Sequence, residues 1–350
     1  MRVLVTGGAG FIGSHTVRQL VAMGHDPIVV DINFNNIAFI LQNKLKIPLI
    51  ISNIGNKNII KEIITGNHIL LRNTIHENKI IDGVLHFAGS INVEESFKNP
   101  LKYYRNNITE FLNLLEVICD LEIRKKRKFN SSIPIIFSSS CATYGIPDQN
   151  PITEDTEQNP ISPYGRSKLT GELILKDLAY NSNLNSVILR YFNVSGSSED
   201  LLIGEDRAKE FHLIPLVIKS ALEISKRFKI FGINHPTPDG TCIRDYIHVV
   251  DVANAHLKAL ESFDDYSFSK DAPIDKKYKV FNLGNEKGVS VLEIINAVEL
   301  ISNRKVNYEI ADKRIGDPPV LVSSSNKIKS SLNWKPQYQD INKIVEHSYY

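Results

Sequence analysis

The sequence predicts an α/β protein with a doubly wound parallel sheet and a smaller C-terminal α/β domain. Three observations predict it. Short apolar runs alternate with stretches of helical periodicity from residue 2 to about residue 194. The first apolar run passes at once into a glycine turn, Gly7-Gly8-Ala9-Gly10-Phe11-Ile12-Gly13. The second ends in an acid, Asp31. A strand, a glycine turn, a helix and a second strand closed by an acid make the opening unit of a Rossmann-type sheet. The expected division is a Rossmann domain over 1–194, with a return segment near 241–258, and a second domain over 195–350.

Composition narrows the class. A chain of 350 residues exceeds one small core. Lys+Arg 41 against Asp+Glu 39 leaves a net charge of +2, so no basic excess points to nucleic acid. No apolar run approaches a membrane span, and the opening strand and turn are unlike a secretory leader. Cys119, Cys141 and Cys242 share no redox or metal-ligand spacing, which fits a reducing cytoplasm. The ten histidines form no HExxH pair, and no metal is expected.

The elements follow in order. Arg2 to Thr6 reads as a strand. Ile12, Thr16, Val17, Leu20 and Val21 recur at helical spacing, and Gly24 ends that helix. Pro27 to Val30 is the second strand, with Asp31 placed to accept hydrogen bonds from a ribose 2′-hydroxyl. Its charge would repel a 2′-phosphate, which points to NAD rather than NADP. Pro48 to Ile51 reads as a strand and Asn56 to Thr65 as a helix. Ile81 to His86 is a buried strand running into Phe87-Ala88-Gly89, where small residues let a ligand approach the backbone. His86 reads as a strand residue. Pro100 to Asp120 reads as one long helix, and the basic run 124–128 as a solvated loop.

Ile133 to Phe137 is the next strand, ending in Ser138-Ser139-Ser140 where open α/β sheets bind ligands. Ser162-Pro163-Tyr164-Gly165-Arg166-Ser167-Lys168 then opens a helix. Tyr164 and Lys168 share one face at four-residue spacing. The Lys ammonium lowers the cost of ionising a phenol whose usual pKa is about 10. Val187 to Arg190 is a further strand. Beyond residue 194 the alternation weakens. A helix is expected over His212–Ser225, strands at Phe228–Phe231 and Thr241–Val249, and a surface excursion over 262–279. Val280 to Leu283 reads as a strand, and Ser290 with Glu293 as a capping box opening a helix to Leu300.

Six motifs in this order carry a resemblance: GGAGFIGSH, HFAG, SSSCATYG, SPYGRSK, LRYFN and DGTCIRDYIHV. Together they resemble the extended short-chain dehydrogenase/reductases acting on nucleotide sugars, and within them the UDP-glucose 4-epimerase family. The tail RIGDPPVLVSSSNKIKSSLNWKP and the stretch GEDRAKEFHLIP are similar to patterns of that family. The resemblance implies a Rossmann domain holding NAD, a C-terminal substrate domain and a homodimer in the cytoplasm, with no nucleic-acid or membrane partner.

Residue by residue, the resemblance implies the following. Gly7, Gly10 and Gly13 meet the pyrophosphate and Asp31 the adenosine ribose. Phe11, Ile12, Asn53, Ile54, Phe87, Ala88, Gly89, Asn106 and Tyr191 line the cofactor. Ser140 and Tyr164 bond the sugar 4-hydroxyl, and Lys168 the nicotinamide ribose. Asn193, His212, Leu213, Phe231, Arg244, Arg314 and Asp317 hold the UDP-sugar. Oxidation at C4, rotation of the 4-keto sugar and return of hydride to its other face would then interconvert UDP-glucose and UDP-galactose. The chain departs from the pattern at Ile91, where Lys is common, at Asn53, where Asp is usual, at Glu110 in place of Gly, and in a lengthened Arg124–Ser132 loop. Leu321 lies where side-chain bulk bears on N-acetylated sugars.

Rival readings are weaker. A 4,6-dehydratase of the same family carries Asp-Glu where Cys141-Ala142 follow Ser140 here. A non-catalytic NAD-sensing regulator typically loses the Tyr or the Lys. A 4-epimerase of UDP-N-acetylglucosamine, UDP-glucuronate or a UDP-pentose is the nearest alternative.

Overall fold

A computed structural model describes residues 1–127, 131–207, 209–224, 228–263, 271–314 and 317–350. The chain forms two compact units, each built from three segments. Unit 1 comprises Met1–Thr143, Ser162–Arg190 and Ala253–Phe281, and unit 2 comprises Tyr144–Ile161, Tyr191–Val252 and Asn282–Tyr350. The units exchange chain at 143/144, 161/162, 190/191, 252/253 and 281/282.

Thirteen strands occur among the described residues. They are β1 (Arg2–Thr6), β2 (Asp26–Asp31), β3 (Leu49–Ile51), β4 (Gly83–His86), β5 (Ile135–Ser140), β6 (Ser186–Tyr191), β7 (Asn193–Ser195), β8 (Phe228–Phe231), β9 (Ile243–His248), β10 (Tyr278–Leu283), β11 (Gly288–Ser290), β12 (Tyr308–Ala311) and β13 (Val320–Leu321). Seven of them form one sheet in the order β10-β6-β5-β4-β1-β2-β3. The pairs β1–β2, β1–β4, β2–β3 and β4–β5 are parallel. Strand order reverses between β1 and β4, and the crevice at such a switch point is where open α/β sheets bind ligands. The glycine turn leaves β1 there, and Phe87-Ala88-Gly89 leave β4 there.

The strands read as continuous apolar runs because both faces are covered. Leu4, Val84, Ile135 and Ile188 join Ile60, Ile63, Phe111, Leu114 and Leu175 from the helices in one buried cluster. Each such side chain contributes about 1.5–3 kcal/mol on burial. The expected helix over Asn56–Thr65 is Lys57–Thr65, with the Asn56 side chain accepting from Ile59 N.

The long helix expected over Pro100–Asp120 runs without interruption from Pro100 to Ile118 but is widened in the middle. Helix Pro100–Tyr104 passes into a wider π-type turn, Arg105–Thr109, before the helix Glu110–Ile118. The basic run is not wholly a solvated loop. Leu121–Lys125 is helical, capped by the Asp120 side chain, and Arg127 donates to Ile81 O at 2.9 Å. Lys128 lies outside the described residues.

Unit 2 has its own core, in which Ile214, Val217, Phe228, Ile230, Ile294, Val298, Ile344 and Val345 are buried together. Strands β11, β9 and β13 form one path, with β7 also on β9, and β12 pairs β8. The helix expected over His212–Ser225 spans Leu213–Ala221. Pro215 sits in its first turn, where the missing N–H costs nothing. Ser225 lies outside the described residues, as does 264–270 of the expected surface excursion. The rest of that stretch includes a helical turn, Ile274–Lys277, leading into β10. The capping box at Ser290 and Glu293 is present. Two C-terminal helices, Asn326–Leu332 and Ile341–Tyr349, were not anticipated. Between them Trp334 is fully buried and donates from Nε1 to Asp251 O at 3.1 Å.

Candidate active site

The glycine turn owes its shape to close packing. Gly7 has φ +69°, and a Cβ there would lie 2.6 Å from Ala88 N. A Cβ on Gly13 would overlap the Gly7 carbonyl oxygen. Gly10 then caps the helix Phe11–Ala22 without any side-chain hydrogen bond. The first turn of that helix thus presents N–H groups and the positive end of its dipole with no side chain across them. Ile12 lies in this turn.

Asp31 closes β2 beside the turn. Its Oδ2 accepts from Ala9 N and its Oδ1 from Asn33 N, both at 3.1 Å. Burial pushes its carboxyl above the usual range, and these N–H groups pull it back. Asn53 accepts from Gly55 N at 2.6 Å, and Ile54 is buried next to it. Phe87 packs its ring 4.5 Å from the His256 ring. His86 is fully buried, clusters with the Phe111 and Phe137 rings at 4.6 Å and 5.7 Å, and bonds Thr6 Oγ1 through Nδ1 at 2.8 Å.

Asn106 bonds Ser90 Oγ at 2.8 Å. Its neighbour Asn107, which sequence reasoning missed, ties more together. Its Oδ1 accepts from Ser90 N, and its Nδ2 donates to Ser90 O and to Ser167 Oγ at 2.9 Å. It fastens the segment after Gly89 to the helix that bears Tyr164.

That helix runs Pro163–Asn181. Ser162 caps it by accepting from Gly165 N, and Pro163 takes the first helical position. Tyr164 and Lys168 fall on its buried side, 7% and 4% exposed. Lys168 Nζ donates to Ser138 O at 2.8 Å and stands 5.1 Å from the Phe137 ring centroid. Burial brings its pKa down to about 8, against the pull of Glu172. Ser140 ends β5, buried, with Oγ accepting from Ala142 N at 3.2 Å. Unit 1 therefore brings the Tyr–Lys pair to the strand that ends in Ser140, and places the glycine turn and Asp31 at the sheet's switch point.

Unit 2 gathers most of the remaining expected residues. Arg244 on β9 pairs through Nη2 with Asp317 Oδ1. The Arg314 guanidinium stacks 3.8 Å from the Phe231 ring centroid, an arrangement that leaves its planar fork defined. Leu321 sits opposite Arg244 in the β13–β9 pairing. Asn193 opens β7 and pairs with Tyr246. Tyr191 ends β6, half-buried. His212 caps the helix that starts at Leu213, and its Nδ1 meets Glu205 Oε1 at 2.6 Å. Burial alone would raise the Glu205 carboxyl, but His212 and Arg207 hold it below its usual range. Glu205, Glu210 and His212 could crowd a cation, yet the Arg207 guanidinium already occupies Glu205 at 2.5 Å.

The profile described as "Epimerase: NAD dependent epimerase/dehydratase family" matches residues 3–284. A UDP-glucose 4-epimerase of Lacticaseibacillus casei is 40% identical over 348 residues, covering 99% of this chain and 95% of the relative. The crystal structure of a UDP-glucose 4-epimerase from Stenotrophomonas maltophila, with bound NAD and formylated UDP-arabinopyranose, superposes with TM-score 0.86. It is 32% identical, with 100% of this chain and 97% of that chain covered. The Bifidobacterium longum enzyme in complex with NAD+ and UDP gives TM-score 0.85 at 34% identity, over 100% and 97% of the two chains.

Proposed function

Since this chain belongs to the NAD dependent epimerase/dehydratase family, we propose that it interconverts UDP-glucose and UDP-galactose by inverting sugar C4. The observation that carries this reading is the buried Tyr164–Lys168 pair, tied through Lys168 Nζ to the strand that ends in Ser140. NAD fits unit 1. The Gly10 cap leaves the helix end open to a pyrophosphate, and Gly7 and Gly13 allow close backbone approach. Asp31 suits ribose hydroxyls and disfavours a 2′-phosphate. Phe11, Ile12, Asn53, Ile54, Phe87, Ala88, Gly89, Asn106 and Tyr191 complete the proposed cofactor set.

When bound, NAD+ supplies a two-electron acceptor that takes hydride from C4 and gives it back. The rest is the work of side chains. Tyr164 takes the 4-hydroxyl proton as a phenolate, which the Lys168 ammonium stabilises. Ser140 donates to the same oxygen as charge develops on it. Arg244 and Arg314 hold the diphosphate, where an always-charged, planar fork suits two phosphates. Asn193, His212, Leu213, Phe231 and Asp317 complete the UDP anchor. A strongly held UDP and a weakly held sugar allow the 4-keto sugar to turn, and Tyr164 returns the proton once the other face is reduced. Cys141-Ala142 after Ser140 offer no acid for loss of a C6 hydroxyl, which disfavours dehydration.

The deciding assay gives purified protein UDP-galactose with no added reductant, in parallel with UDP-N-acetylgalactosamine and UDP-galacturonate. UDP-glucose is the expected product. Accumulation of a 4-keto-6-deoxy sugar would overturn the reading. A homodimer in the cytoplasm completes the proposal. Phe97 (56% exposed), Leu101 (77%) and Leu173 (52%) lie on the helix that bears Tyr164 and on two helices packed against it. Cys119, Cys141 and Cys242 are thiols rather than disulfides, which suits a reducing compartment. No helix among the described residues is long and apolar enough to cross a membrane.

A further inference from the structure

We infer that Glu172 is a positioning residue for the reaction, clamping the strand that ends in Ser140 to the helix that carries Tyr164 and Lys168. The inference rests on reading those three residues as the reacting set.

Glu172 follows Lys168 by four residues, so it lies one turn along the same buried face. It is 1% exposed. A carboxylate in such a place is costly unless charge and hydrogen bonds surround it. Arg190, near the end of β6, meets it as a fork: Nε lies 3.0 Å from Oε1 and 3.1 Å from Oε2, and Nη2 lies 2.6 Å from Oε2. Ser139 Oγ donates to Glu172 Oε1 as well. Alternation along β5 sets this up. Ser138 turns its hydroxyl to His256 Nε2 on the helix Val249–Glu261, at 3.0 Å, and Ser139 therefore faces the opposite helix.

One carboxylate thus ties β5, β6 and the Pro163–Asn181 helix at a single point. A second tie, Lys168 Nζ to Ser138 O, lies one turn away. Apolar packing would hold the layers together equally well, but it is non-directional and permits sliding. Two directional bonds a turn apart fix the helix against the strand, and so fix Ser140 against Tyr164 and Lys168. Glu172 also supplies the negative charge that acts on the Lys168 ammonium. Among the described residues, the titratable groups around this pair include Tyr164 on the same helix, His86 of β4, Arg190 of β6 and Tyr278 of β10.

The test compares Ser139→Ala, Ser139→Thr and Glu172→Gln in the full chain. Ser139→Ala cuts the strand-to-helix bond and leaves the ion pair whole, so the protein stays folded. Its kcat with UDP-galactose should fall about tenfold with KM within about twofold, because small misplacement of reacting groups acts on the chemical step. Ser139→Thr, which keeps the hydroxyl, should recover most of the loss. In Glu172→Gln the alkaline limb of the kcat profile should move to lower pH, since Lys168 loses a nearby negative charge. A purely structural role would lower the folded fraction and leave that limb in place. Unchanged kcat in folded Ser139→Ala, or an unmoved limb in Glu172→Gln, overturns the inference. Should the wild-type protein not act on UDP-sugars, the functional reading fails by itself. A 13C NMR titration of the Lys168 side chain then decides the clamp without substrate: a lower midpoint in Glu172→Gln supports it, and equal midpoints overturn it.

Discussion

His86 makes the fold sensitive to acid, and the size of the effect can be worked out. Burial, with a smaller push from the Lys168 charge, brings its pKa from 6.5 down to about 3. The neutral ring is held by Thr6 Oγ1 and packed against Phe111 and Phe137. In the unfolded chain the ring titrates near 6.5. The folded pKa is the lower one, so the contribution is fully present above pH 6.5 and is lost as pH falls toward 3. Between pH 7 and pH 5 the loss is about 2 kcal/mol, or about 25-fold in the opening equilibrium. Amide hydrogen exchange in β1 and β4, corrected for intrinsic rates, reads that equilibrium. Protection in the wild type should fall from pH 7 to pH 5 by about 25-fold more than in His86→Asn, where the other titrating groups are unchanged. Equal pH dependence in the two proteins would show that the ring is protonated in place and would refute the reasoning.

Three further outcomes are expected. Tyr164→Phe should remove most turnover in the UDP-galactose assay while calorimetric binding of UDP stays nearly intact; unchanged turnover would put the proton acceptor elsewhere. Gly13→Ala should weaken NAD binding, followed by cofactor fluorescence, because its Cβ meets the Gly7 carbonyl oxygen and forces the helix away from the turn. Trp334→Ala should destabilise unit 2 by about 3–5 kcal/mol, seen as an earlier urea transition, because a fully buried ring leaves a cavity and frees Asp251 O.

Much of the sheet was legible because parallel strands covered on both faces write themselves as unbroken apolar runs. The glycine turn was legible because backbone conformation and close approach there exclude side chains. Tyr164 and Lys168 were legible because helical spacing alone puts them on one face. What failed depends on partners distant in sequence. Asn107 is one more amide in an Asn-rich chain until Ser90 and Ser167 are brought to it. Glu172 and Arg190 stand 18 residues apart on different elements, and no local pattern joins them. The widened π-type turn at Arg105–Thr109 leaves no mark on the apolar spacing of the helix that contains it. Arg127 looked like one of five surface charges, and only the fold gives it Ile81 O as a partner. The C-terminal helices are short, and their apolar residues are too few to set a period.

The segmental make-up of unit 1 has a consequence for the chain as it leaves the ribosome. The six strands from β1 to β6 are complete by residue 191, but the neighbour that covers the outer side of β6 is β10, which ends at Leu283. Through the synthesis of those intervening residues β6 presents an open row of N–H and C=O groups, the kind of edge to which other nascent chains can add. A stop codon or a slow stretch placed between them should therefore leave a sticky six-stranded sheet with one edge bare rather than a working cofactor-binding fragment.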